Sequence, residues 1–182
     1  MLRLRIIAAF ATLAIAAAAL AGCGGGGSSS VSPATYVKAV CSALGPFEKD
    51  IQTRSAALQH LPPGAAQRKT ALQGFFTAVV GDSDKAVSQL NAAGSPNVKN
   101  GGKIQSAIVL VFTRFGAAAK QAASKANALP TNSSTAFSTA ANALNRSFTT
   151  SMAGIGSGIS GLKSPTLDAA EKKEPACKSI GA

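Results

Sequence analysis

Between Pro33 and Leu58, apolar side chains recur at alternating steps of three and four: Val37, Val40, Leu44, Phe47, Ile51 and Leu58, with Arg54 taking one step. That spacing places them on one face of an α-helix. Ser32-Pro33 marks its start. The hydroxyl can accept from an N–H of the first turn, and proline is tolerated there because that turn has no partner for its missing donor. The seam crosses Gly45-Pro46 in phase, which predicts one kinked helix rather than two. Leu61-Pro62-Pro63-Gly64 ends it.

The same rhythm continues through Leu72, Phe76, Val79, Ala86, Leu90 and Ala93, with Ser83 filling one seam position and Phe75 and Val87 widening the stripe. This predicts a second helix from about Ala65 to Ala93. Gly81-Asp82-Ser83-Asp84 is a candidate local break within it, with Asp82 as a cap. Gly94-Ser95-Pro96-Asn97 reads as a turn. A third helix carries Ile104, Ile108, Val111, Phe115, Ala118, Ala122 and Leu129. Its Ile108–Phe112 run is apolar on all sides, so it is expected to be the most buried element.

Ser133 or Ser134 caps a fourth helix whose seam runs Phe137, Ala141, Leu144, Phe148, Met152, Ile155, Ile159 and Leu162. Ser164-Pro165 repeats the start signal and predicts a short last helix over roughly Thr166 to Lys173. Alternating strand patterns are absent. Four amphipathic helices with short connections pack antiparallel. The expected fold is all-α, an antiparallel four-helix bundle with a short C-terminal helix.

The N-terminal segment has a different character. Arg3 and Arg5 precede an apolar run from Ile6 to Leu20, followed by Ala21-Gly22-Cys23. A basic start, a short apolar stretch and a small-residue exit describe a secretory signal peptide. The run is shorter than the ~20 residues a membrane span needs and ends in glycines rather than an anchoring flank. Leu20-Ala21-Gly22-Cys23 resembles the lipobox of bacterial lipoproteins. The resemblance implies cleavage before Cys23, lipidation of the Cys23 thiol, and a mature chain held at the outer leaflet of the cell membrane. A plain secretory signal is the alternative. Acyl chains stabilise membrane attachment by ~0.8 kcal/mol per buried methylene, so two or three chains hold firmly where one does not.

The organisation expected is therefore 1–22 signal peptide, 23–32 lipidated cysteine and glycine-serine tether, and 33–182 helical domain. The nine residues 24–32 have a root-mean-square reach of about 15–18 Å. Removing Arg3 and Arg5 with the signal lowers the net charge from +11 to +9. Such a balance favours polyanionic surroundings. At the outer membrane face, anionic lipid headgroups and phosphate-bearing wall polymers fit; nucleic acid does not. Once Cys23 is assigned, Cys41 and Cys177 remain. An even remainder in an oxidising compartment reads as a disulfide, tying the last helix back to the first. The alternative is two buried free thiols.

Chemistry-bearing patterns are sparse. Gly156-Ser157-Gly158-Ile159-Ser160-Gly161 spells GxGxxG, but within a helical seam and not after a strand, as a dinucleotide fingerprint requires. The glycines from Gly154 onward weaken that helix by ~1 kcal/mol each relative to alanine. His60 is the single histidine, placed at a helix end where a cation suits the dipole. The close carboxylates are Glu48 with Asp50 and Asp82 with Asp84, too few for a calcium loop. Asn132-Ser133-Ser134 and Asn145-Arg146-Ser147 match the glycosylation sequon. No catalytic residue, metal ligand or cofactor is assigned.

Tyr36-Val37-Lys38-Ala39-Val40-Cys41 opening the first helix, with Pro175-Ala176-Cys177 near the end, resembles uncharacterised lipoproteins and small secreted proteins of high-GC Gram-positive bacteria. That resemblance implies no activity. The function expected is a non-catalytic envelope interaction or binding module. The alternative is a carrier of a lipid or other small apolar ligand between the helices.

Overall fold

The computed structural model describes residues 30–61, 63–155, 162–178 and 180. Five helices carry the fold: α1 (Pro33–Ala57), α2 (Ala65–Ala93), α3 (Gly101–Asn127), α4 (Ser134–Ala153) and α5 (Pro165–Glu171). Two 3₁₀ turns, Leu58–His60 and Pro175–Cys177, follow α1 and α5. The architecture is the expected all-α bundle. Leu20, Ala21, Gly22 and Cys23 lie outside the described residues, as does the GxGxxG stretch 156–161.

The helix starts follow local chemistry. Ser32 Oγ accepts from Thr35 N at 3.2 Å, Ser133 Oγ from Ala136 N at 3.3 Å and Ser164 Oγ from Leu167 N at 3.4 Å. Each satisfies a donor that the first turn leaves without a partner. α1 continues through Gly45-Pro46 as a single helix. Pro46 has no N–H to give the Ser42 carbonyl, and the packing on either side carries the helix across.

α2 and α3 form the most extensive pair, and they run antiparallel. Lys69 Nζ donates to the Leu129 carbonyl at 3.1 Å, and Gln73 Nε2 to Asn127 Oδ1 at 2.8 Å. At the other end of the pair Gln105 Nε2 donates to the Leu90 carbonyl. Gly94 N bonds to Asn91 O rather than Leu90 O, so Gln105 supplies the donor that the last turn of α2 lacks. Small residues let the two backbones approach. Ala119 and Ala126 are fully buried, and Ala86, Ala118 and Ala122 nearly so.

α1 lies beside α2, and α4 beside α3. Phenylalanines fill the centre. Phe47 of α1 meets Phe112 and Phe115 of α3, each with ring centroids 5.2 Å apart and edge to face. Phe148 of α4 meets Phe76 of α2 at 5.2 Å and Phe115 at 6.2 Å. Each buried ring contributes about 1.5–3 kcal/mol by burial, and edge-to-face pairs add about 0.5–1.5 kcal/mol.

Four features depart from the sequence expectations. α2 passes Gly81-Asp82-Ser83-Asp84 unbroken. Ser83 is buried and its hydroxyl donates to the Val79 carbonyl at 2.7 Å, so the side chain serves the helix instead of ending it. α4 stops at Ala153 with Gly154 as its cap, short of the Leu162 expected, where the glycine-dense stretch begins. Leu110 is 44% exposed although its run is apolar on all sides. α1, α2 and α4 cover the face of α3 that carries Ile104, Phe112 and Phe115, and Leu110 lies on the opposite side. Lastly, among the described residues a short sheet joins the helices: Ser30–Val31 pairs in parallel with Ser95–Pro96.

Candidate functional site

That pairing fixes where the chain enters the bundle. Ser30 lies beside Ser95 and Val31 beside Pro96, and Asn97 N donates to the Val31 carbonyl at 2.8 Å. Pro96 is held in turn by α3. A Cβ on Gly101 would stand 1.9 Å from the Pro96 carbonyl oxygen, so only glycine allows α3 to begin this close. Asn100, at φ 58°, makes the left-handed turn into it. The start of α1, the α2–α3 turn and the incoming chain therefore share one end of the bundle.

The C-terminal segment returns to the same end. Cys41 and Cys177 form a disulfide with Cα atoms 5.0 Å apart. α5 and the Pro175–Cys177 turn lie against α1. Together they close a second apolar cluster of Tyr36, Val37, Cys41, Ile104 and Leu167, bordered by Val31, Val98, Leu162 and Ile180. Tyr36 is 1% exposed, its hydroxyl has no partner, and burial raises its pKa above the ordinary tyrosine value. This tyrosine serves as packing.

The surface of this end is basic. Lys38, Lys99, Lys103, Lys163, Lys172, Lys173 and Lys178 are all exposed. Among the described residues three side-chain carboxylates share these elements, and two turn inward. Glu174 is half-buried and accepts from Ala176 N at 3.1 Å. Asp168 is half-buried in the first turn of α5, with one carboxylate oxygen buried and without a partner. Glu171 alone is exposed. In the sequence these lysines are scattered over 140 residues, and no run betrays them. The fold gathers them.

The other sequence candidates do not converge. His60 is exposed in the turn between α1 and α2. Asn132 is exposed and Asn145 half-buried. Among the described residues no three His, Cys, Asp or Glu side chains group as metal ligands, and no helix is long and apolar enough to cross a membrane. One carboxylate pair does meet across helices. Asp50 of α1 pairs with Arg54 one turn on, and the Arg54 hydrogen bond holds its pKa below the ordinary value. Asp82 of α2 lies close enough to Asp50 for each carboxylate to shift the other's pKa. Burial, and then Asp50 itself, raise the Asp82 pKa. Sequence spacing shows nothing of this contact, because it depends on how α1 and α2 align.

No family model, curated protein or solved structure matches this chain.

Proposed function

We propose that this protein is a lipid-anchored, extracytoplasmic module that works by binding in the cell envelope and catalyses no reaction. The observation that carries the reading is the order of features at the N-terminus. A basic start and short apolar run lead to Leu20-Ala21-Gly22-Cys23, then a glycine-serine stretch, then a bundle closed by a disulfide. A disulfide in so small a domain accords with an oxidising compartment. The edge-to-face phenylalanines occupy the centre of the bundle, which weighs against a carrier holding a lipid or other apolar ligand there.

Metabolic labelling with a fatty acid, with cell fractionation, tests the reading. The wild-type chain takes up label and sediments with membranes. Cys23→Ser takes up none and accumulates as precursor or released protein. Equal labelling of the two would overturn the anchor.

A further inference from the structure

We infer that the disulfide-closed end of the bundle is a membrane-facing surface whose lysines engage anionic phospholipid headgroups. The inference rests on the anchor proposed above and adds the domain's orientation and the residues in contact. Only six residues, Gly24 to Ser29, separate Cys23 from Ser30. A glycine-serine chain of that length has a root-mean-square reach of about 12–15 Å. Ser30 and Val31 are stitched to Ser95 and Pro96, so the end of the bundle they join is the one held near the bilayer.

The charge on that end fits such a neighbour. Among the described residues, seven exposed lysines stand against one exposed side-chain carboxylate, Glu171. They come from four separate segments: the start of α1, the α2–α3 turn with the first turn of α3, the stretch before α5, and the C-terminal tail. The disulfide holds the tail against α1. Lysine suits a headgroup layer as a flexible point charge on a long stem. The surface charge of anionic lipids decays within about 8 Å at physiological salt. It therefore acts on this end when the tether lets it approach the bilayer, and it does not extend to the helix midpoints.

Wall polymers carry phosphate too. The short tether favours the bilayer, because it keeps this end within about 15 Å of the headgroups and free to touch them, whereas a wall polymer would be met as readily by the far end. Arg68, Lys120 and Arg146 are exposed there without a carboxylate beside them in sequence. Of these, Lys120 can be read by an amine reagent and serves as an internal control.

The experiment uses the full mature protein purified from membranes and reconstituted into two kinds of vesicle. One contains phosphatidylglycerol and phosphatidylcholine, the other phosphatidylcholine alone. An impermeant amine reagent labels the lysines, and peptide mass spectrometry reads each rate. A lysine at an anionic surface gains about fivefold in binding. Lys38, Lys99, Lys103, Lys163, Lys172, Lys173 and Lys178 should thus react about fivefold more slowly on the anionic vesicles. Lys49 and Lys120 should react equally on both. Salt at 1 M, which shortens screening to about 3 Å, should abolish the difference.

Equal rates on both vesicles would overturn the inference, as would slowing centred on Lys120. Slowing by soluble poly(glycerol phosphate) but not by vesicles would also overturn it, in favour of a wall polymer. The mass of the Cys23 peptide reports the anchor separately. An unmodified Cys23 with slowed lysines would sink the anchor and leave the surface standing. A lipidated Cys23 with uniform lysine rates would do the reverse.

Discussion

Ser83 of α2 packs directly against Gly116 of α3: a Cβ on Gly116 would stand 3.0 Å from the Ser83 Cβ. Few side chains tolerate so short a contact. The glycine therefore sets how closely α2 and α3 lie, and the phenylalanine layer is built on that spacing. Ser83 keeps its hydroxyl bonded within its own helix at 2.7 Å, so no polar group is stranded between the two.

Gly116→Leu should force the α2–α3 pair apart. Overpacking of this kind costs about 1–3 kcal/mol. Gly74 lies on α2 with nothing within 4 Å of its added Cβ. There Gly74→Ala should gain up to about 1 kcal/mol of helix propensity. Thermal unfolding followed by circular dichroism should show a lower Tm for the first and a higher one for the second. A Gly116→Leu variant as stable as wild type would mean that the helices do not meet at Ser83.

The Cys41–Cys177 bond spans a sequence separation of 136 residues. In the chain-entropy model, closing such a loop stabilises the fold by about 5 kcal/mol, an upper figure. Reduction should lower Tm clearly. It should first expose the amides of α5 and the Pro175–Cys177 turn to hydrogen exchange, since these rest on α1 through few large side chains. The double variant Cys41→Ser/Cys177→Ser should behave like the reduced protein. Protection of α5 unchanged by reduction would contradict this role.

Asp50 and Asp82 respond to pH in opposite senses. Asp82 has a raised folded pKa, so its charge destabilises the fold above that pKa, and protonation relieves the cost as pH falls through it. Asp50 has a depressed folded pKa, so its stabilisation is present above the unfolded value and is lost as pH falls through the folded one. Asp82→Asn should therefore raise Tm at pH 7 by about 1–2 °C, and the gain should shrink as the wild-type carboxyl protonates. Arg54→Ala should lower Tm slightly at pH 7, by no more than the ~1 kcal/mol of an exposed pair. A gain for Asp82→Asn that grows as pH falls would contradict the assignment.

Helix limits set by nearest neighbours were legible in the sequence. Ser32-Pro33, Ser133 and Ser164-Pro165 all cap as their chemistry implies, and α2 spans Ala65–Ala93 as its seam indicates. Features that depend on tertiary contact were not. Asp82 looks like a cap until α2 is seen to run through it unbroken. Leu110 looks like core until the three neighbouring helices are seen on the other side of α3. Ser30–Val31 is too short to read as a strand. Its partner, Ser95–Pro96, lies in a turn whose glycines give the only hint of a close approach. The disulfide was legible by counting cysteines. The lysine surface was not, because it is assembled from four segments that only the fold brings to one end.

The central claim is that this bundle works while held at a membrane through Cys23. The most direct test is the mass of the N-terminal peptide of the protein isolated from native membranes. The account predicts a peptide that begins at Cys23 and carries a thioether-linked diacylglycerol, with residues 1–22 removed. A mature chain that keeps Leu20-Ala21-Gly22 ahead of an unmodified Cys23 would contradict it.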